Sequence, residues 1–446
     1  MTLRWDLAEA ARVTGGMLTG EAPVSRVVTD SREAGVGDLF VAIRGERLDG
    51  HDFAAEALDR GAAVLVEHRR LPSGGTGLEV RDTLEALRLL AAHRRDELDV
   101  PVIAVTGSSG KTSTKDLVAG AMGPDAHAAL RSMNNEIGVP MTVLGAPDDA
   151  SALVLEVGAR KVGDIRLLAP VVRPDVAVIT LVGRAHLETF GDEEGVLTGK
   201  WELVEALGPD GVAVLPVEDE RLTARREGAM VTFGETSAAD VAALDVEIDD
   251  AGRPSLRLAT PEGEFPLTLA VSGLHQARNA AAAVAAALAA GRSAADAVAG
   301  VASATGSPWR MEVVPGRYTV VNDAYNANPD SAATALRTVA ALPGRPVAVL
   351  GEMLELGDDA ARSHREIGEL ARDLGYAAVL VVGDDPGIAA GAGAIARRVA
   401  DDDEARRVLG GIVRDGDVVL VKASRSVGLE DLAAWLAARA ADEVAS

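Results

Sequence analysis

The sequence predicts an α/β protein of three domains, and three observations carry that prediction. The chain has 446 residues, and at ~150 residues per domain that length suits three. Short apolar, β-branched runs alternate with stretches of helical spacing, the pattern of parallel sheets covered by helices. One such run, PVIAVTGSSGKTST from Pro101, passes from strand through a glycine-bearing turn into a helix. The expected domains are residues 1–83, 84–309 and 310–446.

Composition narrows the functional classes. An apolar content of 48% supplies several cores. The chain has no cysteine, which excludes disulfides, thiolate metal sites and a cysteine nucleophile. A net charge of −24 argues against a broad nucleic-acid surface, so no nucleic-acid partner is expected and an anionic ligand needs a local basic pocket. No run approaches the ~20 apolar residues of a membrane span. The opening MTLRWDLAEAARVTGG lacks an apolar stretch of signal-peptide length, so a soluble cytoplasmic protein is expected. Lysine is scarce: Lys111, Lys115, Lys161, Lys200 and Lys422 are the whole set. A chain that uses arginine elsewhere keeps lysine where a compact ammonium or a reactive amine is needed. All asparagines fall in three segments, at Asn134 and Asn135, at Asn279, and at Asn322, Asn326 and Asn328.

In the first domain VSRVVTD, DLFVAI and AAVLVE read as strands and DFAAEALDRGA as a helix. From Asp82, DTLEALRLLAAHRRDEL has helical spacing and leads into the second domain. There Pro101–Val105 suits a buried parallel strand. Gly107 and Gly110 flank a tight turn, and Lys111-Thr112 opens a helix. The segment Thr106, Gly107, Ser108, Ser109, Gly110, Lys111, Thr112 and Ser113 aims backbone N–H groups and a helix N-terminus at one spot, where a polyphosphate would sit. Lys111 is placed to reach the β- and γ-phosphates and the Thr112 hydroxyl to hold Mg²⁺. Val105 stands where G-x-x-x-x-G-K-[ST] has its first glycine, leaving the shorter T-G-x-x-G-K-[ST]. A glycine-rich turn without a ligand is the plain alternative; the joint occurrence of strand, turn, lysine and threonine weighs against it.

Glu156 ends the strand ALVLE, at the sheet edge where a carboxylate can ligate Mg²⁺. His186 follows the next strand, DVAVITLVG, and so belongs to the same edge as a metal ligand or phosphate contact. Lys200, in GVLTGKWELVEAL, reads by itself as a solvated helical charge and gains interest from lysine scarcity. In GLHQARNAAAA, His275 and Asn279 stand four apart and share a helix face. In the third domain Asp323 ends a strand, where it can accept ribose hydroxyls. Asn322, Tyr325, Asn326 and Asn328 crowd the next turn, and Asn328-Pro329 suits a turn before a helix.

Together these segments resemble the Mur ligase family, the ATP-dependent amide ligases of peptidoglycan precursor synthesis, over nearly the whole chain. TGSSGKTST matches the family phosphate loop, and the Glu156, His186, Asn279, Arg310 and Asp323 segments follow in family order. Lys200 corresponds to the family's carbamylated lysine. The resemblance implies ATP, two Mg²⁺ ions and a CO₂-derived carbamate on Lys200. It makes Lys111, Glu156, His186 and Lys200 catalytic, with Thr112, Glu156, His186 and Lys200 on the metal. Asn279, Arg310, Asp323, Tyr325 and Asn326 join the phosphate loop around the nucleotide.

Within the family, NNEIGVP from Asn134, DAYNANPDS, LGEMLELG at 350–357 and VKASRSVGLE at 421–430 resemble the branch that adds D-alanyl-D-alanine to UDP-N-acetylmuramoyl-tripeptide through an acyl phosphate. TDSREAGVGDLFVAIRGERLDGHDF from Thr29 matches that branch's UDP-binding domain. This implies a small N-terminal UDP-binding domain, a central P-loop ATPase domain and a C-terminal Rossmann-like domain in a monomer. It assigns Asp30, Ser31, Arg32, Arg44, Gly45, Asp49, His51, Asn134, Asn135 and Asn328 to substrate. The D-N-P-R motif of the diaminopimelate-adding branch is absent. Three places depart from the family pattern: LPVEDE at 215–220, Gln276 after the motif histidine, and Val157 with Lys161 in the run after Glu156. A ligase joining another acid and amine, and a catalytically silent P-loop binding protein, are the competing readings.

Overall fold

The computed structural model describes residues 3–45 and 47–441. The first of its three large sheets has five strands, ordered Met17–Thr19, Gly77–Val80, Ala63–Glu67, Asp38–Val41, Arg26–Val28. All pair in parallel except Met17–Thr19, which runs antiparallel at the edge. One face buries Phe40 and Val64 against the helix Ala54–Asp59. The other face does not close on itself. Leu39, Leu65 and Leu78 belong to a core that continues through the helix Thr83–Glu97 to Val102, Leu153 and Ile179 of the second sheet. Asp82 starts that helix by accepting from the N–H groups of Leu84 and Glu85, at 2.8 and 3.0 Å, which satisfies donors that a helix start leaves unpaired.

The second sheet has nine strands. Third from one edge is Val102–Thr106, flanked in parallel by Ala152–Glu156 and Val176–Ile179. Register puts Glu156 opposite Val105 and Ile179 opposite Thr106, so three strands end at one edge. Beyond Val241–Ile248 the sheet turns antiparallel, through Pro254–Thr260 and Gly263–Thr268. The expected parallel sheet therefore carries a hairpin extension, built by the RPSLRLATPEGEFPLTL run. The alanine-rich helix Gln276–Ala289 is buried nearly all round. Small side chains let it lie between the sheet and the helix Lys111–Met122, in a core with Leu117, Val178 and Phe233, as an all-apolar helix must.

The third sheet has six strands, ordered Glu312–Val314, Thr319–Asn322, Asp417–Lys422, Arg345–Gly351, Ala378–Val382, Ala396–Val399. All but the first pair in parallel. Separate cores cover its two faces, as in a doubly wound α/β layer. Among the described residues no helix is long and apolar enough to cross a membrane.

Candidate active site

The phosphate loop takes its shape from two glycines. Gly107 has φ +148°, and a Cβ there would sit 2.0 Å from Thr180 Oγ1; Gly110 has φ +80° and begins the helix Lys111–Met122. Neither position accommodates a side chain without strain. Thr180 and Leu181, just past the strand Val176–Ile179, then hold the loop. Ser108 N donates to Leu181 O at 2.9 Å, and Thr180 Oγ1 donates to Ser109 O at 2.6 Å. The first-turn N–H groups of Lys111, Thr112 and Ser113 have no intrahelical acceptor, which suits an anion. Lys111 folds back over the loop, its Nζ donating to Gly107 O at 2.7 Å. Burial lowers its pKa, Glu156 opposes that, and the charge of Arg310 adds to it.

Glu156 is 1% exposed. One carboxylate oxygen accepts the Thr112 hydroxyl at 2.8 Å, the other the Asn134 amide at 2.6 Å. Both side-chain hydrogen bonds to this buried carboxylate come from neutral donors, and the Lys111 charge reaches it only electrostatically, so it has room for a cation. Hard oxygen donors of this kind fit Mg²⁺. Lys200 is fully buried. Its Nζ donates to Ala159 O at 2.9 Å and lies 5.3 Å from the centre of the Phe190 ring. Burial first, and the charge of Lys111 second, hold its pKa well below the usual lysine range, with Asp164 working the other way.

His186 has φ +56° and begins the short helix Leu187–Phe190. Its Nδ1 lies 2.6 Å from Glu355 Oε2, a residue of the third domain. That contact holds the Glu355 carboxyl below its usual range. Sequence order set His186 beside Glu156; the structure gives it a carboxylate that is 169 positions further along the chain. Asn279 stands against the loop, its Oδ1 3.1 Å from where a Cβ on Gly110 would lie. Its amide donates to Gln276 Oε1 at 2.9 Å, so Gln276, where the family pattern has asparagine, orients Asn279.

The third domain closes on this edge. Asn328 caps the helix Pro329–Ala341 and sends its amide to Ser108 O at 3.1 Å. The Tyr325 hydroxyl meets that of Ser132. Arg310 stacks 4.2 Å from the Tyr325 ring centre, and Arg425 lies 4.9 Å from the Trp309 ring centre. Asp323 is engaged from within: Lys422 donates to Oδ2 at 2.6 Å and Met311 N to Oδ1 at 3.1 Å. Asn326 serves its own turn, its Oδ1 accepting Ala327 N and its carbonyl accepting Lys422. Asn135 Oδ1 accepts Gly138 N at 2.8 Å, where the helix Gly138–Leu144 begins.

The expected substrate residues of the first domain form a separate surface cluster. Arg44 lies between Asp49 at 3.5 Å and Glu67 at 3.0 Å. Arg32 pairs with Asp30 at 2.6 Å, holding that carboxyl at about 2. The Ser31 hydroxyl donates to Glu56 at 3.0 Å, and Gly45 N to Leu48 O at 2.9 Å. The His51 side chain is fully buried. Its Nε2 accepts Glu67 N at 3.0 Å, so Nδ1 carries the proton and donates to Asp49, 2.6 Å away. Those His51 bonds pull Asp49 down to about 2. His51 therefore shapes the loop that presents Arg44 and Asp49.

Sequence reasoning missed Arg184, Asp330, Glu355, Lys422 and Arg425. Lysine scarcity pointed to one of them: Lys115, Lys200 and Lys422 are each 2% exposed or less. The carboxylates Asp330 and Glu355 lie in the segments DAYNANPDS and LGEMLELG, but nothing in those segments singles them out among 68 acidic residues.

Residues 105–287 match the Mur ligase middle domain, 309–425 the Mur ligase glutamate ligase domain, and 23–95 the catalytic domain of the Mur ligase family. The chain is 36% identical to a UDP-N-acetylmuramoyl-tripeptide--D-alanyl-D-alanine ligase of Mycobacterium tuberculosis, over 97% of each chain. It is 33% identical to the ligase of that name from Bacillus subtilis, over 91% of this chain and 92% of the other. Among solved structures, MurF from Acinetobacter baumannii superposes with a TM-score of 0.90 at 32% identity, over 98% of this chain and 99% of that one. MurF ligase from Thermotoga maritima in complex with ADP gives 0.84 at 30%, over 93% and 97%.

Proposed function

The chain belongs to the Mur ligase family, and we propose that within it the protein is the ATP-dependent ligase that adds D-alanyl-D-alanine to UDP-N-acetylmuramoyl-tripeptide in peptidoglycan precursor synthesis. The observation that carries the reading is that ligases of that name match nearly end to end, first domain included, around a phosphate loop with Lys111 and Thr112 in place. The three domains are drawn at 1–83, 84–309 and 310–446, with UDP held by the first.

A carboxylate is a poor acyl donor, so ATP activates it. An oxygen of the tripeptide's terminal carboxylate bonds to the γ-phosphorus, and the bond to the β-bridging oxygen breaks with ADP leaving. The amine of D-alanyl-D-alanine then adds to the acyl carbon, loses a proton, and phosphate departs with the electron pair. Lys111 and the first-turn N–H groups hold the triphosphate and offset its growing charge. Arg310, which senses Lys111 electrostatically, is placed to help hold the transferred phosphoryl group. Asn279, Tyr325 and Asn326 line the nucleotide side, with Asn134 and Asn328 on the side of the incoming carboxylate. Seating of the third domain shields the acyl phosphate from water.

Thr112, Glu156, His186 and Lys200 would hold Mg²⁺, which when bound neutralises triphosphate charge. Lys200 suits a carbamate: the neutral amine that burial favours adds to CO₂, releases a proton and becomes an anion. Every group comes from one chain, so a monomer suffices, and the substrates place the reaction in the cytoplasm. Incubation with ATP, defined UDP-muramoyl tripeptides and D-alanyl-D-alanine should give the pentapeptide product and phosphate in equal amounts. Turnover only with a different acid or amine would overturn this substrate assignment.

A further inference from the structure

The strand Trp5–Asp6 and the helix Leu7–Thr14 open the first domain, and that helix packs against the helix Thr83–Glu97, which leads into the second. Leu7 and Ala10 share a core with Leu87, Leu90 and Ala91. At the half-buried margin of this contact, Glu9, His93 and Glu97 converge. His93 and Glu97 stand four apart and so share a helix face. His93 Nε2 lies 3.1 Å from Glu9 Oε1 and 3.8 Å from Glu97 Oε1, and the ligand atoms of all three lie within 4.8 Å of one another. Abundance of carboxylates does not account for the trio. The chain has 68 acidic side chains and 7 histidines, yet among the described residues this is the one group of three whose ligand atoms come so close.

The trio is held from outside. Trp5 Nε1 donates to Glu97 Oε1 at 2.7 Å, and Arg94 donates to Glu97 Oε2 at 3.0 Å. Arg94 is 3% exposed and is itself fixed by Ala146 O at 2.8 Å and Asp148 at 2.7 Å. The Trp5 ring lies 5.1 Å from the His93 ring, centre to centre. Carboxylate ligands of metals are in turn hydrogen-bonded in this way. Arg12 reaches Glu9 Oε1 at 3.3 Å, but its side chain is 68% exposed, so that pair opposes a metal only weakly.

Two carboxylates turned on one point repel each other unless a cation lies between them. Zn²⁺ bonds of roughly 2.0–2.2 Å set tetrahedral donors about 3.4 Å apart, and the separations of 3.1 and 3.8 Å bracket that value. An imidazole beside two carboxylates favours Zn²⁺ over Mg²⁺, which prefers oxygen donors in octahedral array.

We propose that Glu9, His93 and Glu97 form a divalent transition-metal site, best suited to Zn²⁺, that clasps the first helix of the first domain to the helix leading into the second, with water completing the shell. It uses none of the residues assigned to nucleotide or UDP-linked substrate, so it stands or falls separately from the proposed function.

The test uses the full chain, stripped with a chelator and free of nucleotide. In the presence of excess Mg²⁺, calorimetric titration should show Zn²⁺ binding saturably, and bound Zn²⁺ should raise the thermal midpoint. His93→Gln and Glu9→Gln should each weaken binding by at least the roughly 10–100-fold that loss of a supporting residue costs. Trp5→Phe keeps a ring, removes the N–H donor and should fall within that 10–100-fold range. His68→Gln, at an exposed histidine outside the trio, should change nothing. Co²⁺ in place of Zn²⁺ should quench the tryptophan emission of the unsubstituted protein, and Trp5→Phe should lose that quenching. Absence of saturable Zn²⁺ binding, or binding that His93→Gln and Glu9→Gln weaken less than about tenfold, overturns the proposal and leaves the trio a hydrogen-bonded ion cluster only.

Discussion

Arg44 and Lys200 are both cations beside candidate ligand sites, and their surroundings differ completely. Arg44 is 57% exposed and lies between two carboxylates; Lys200 is fully buried with a backbone carbonyl as hydrogen-bond partner. The difference extends to their neighbours. The first-domain cluster satisfies its own charges in water, so a ligand there exchanges one set of partners for another, and each contact is worth little. The candidate nucleotide centre buries Lys200 and Glu156 and half-buries Lys111, and among the described residues none of the three has a direct ion-pair partner, so its groups suit charges that arrive with a ligand. Loss of one group should therefore be far more damaging in the centre than in the cluster.

The largest expected effect is at Lys111. Lys111→Ala should lower kcat roughly 10²–10³-fold with the fold intact by circular dichroism. Near-normal turnover would remove the contrast at its strongest point. Next comes Lys200. Lys200→Ala should be largely inactive and recover part of its rate with added acetate, which can occupy the vacated anionic position. Lys200→Arg should stay inactive, because guanidinium keeps the wrong charge. A fully active Lys200→Arg enzyme would show that the buried amine is no precursor of an anion.

On the other side of the comparison, Arg44→Ala should raise KM for the UDP-linked substrate about tenfold, the scale of one exposed charge-assisted hydrogen bond, with KM for ATP unchanged. A point substitution is the sharper probe here. Removing residues 1–83 would strip Leu39, Leu65 and Leu78 from a core shared with the second domain and confound binding with stability. An equal rise in both KM values would show that the two regions are not separable.

The smallest effect concerns pH. Burial lowers His275 from 6.5 to about 4, against the pull of Asp323. The unfolded chain takes up this proton near pH 6.5 and the folded one only near 4, so stability falls as pH drops through that window. The loss should be on the order of 1 kcal/mol, less than the full shift because the ring keeps some exposure. Denaturant titrations of His275→Gln should show a flatter slope between pH 6.5 and 4. An unchanged slope would assign the acid sensitivity elsewhere.

What the amino-acid sequence settled by itself is local. The strand–turn–helix at Pro101–Thr112, the helix begun by Asp82 and the edge position of Glu156 follow from periodicity and from glycines that only certain turns require. Local order also picked out Lys200, because five lysines among many arginines leave few candidates. What only the tertiary structure decided is partnership between distant segments. Nothing near His186 in the chain names Glu355, and nothing in DAYNANPDS says that Asn328 will hold the phosphate loop. The continuous core beneath the first sheet is of the same kind, since apolar runs tell that a face is buried but not against what. A hydrogen bond between residues far apart in sequence has no periodic signature. It exists because two sheets meet, and that meeting is fixed by the packing of whole faces.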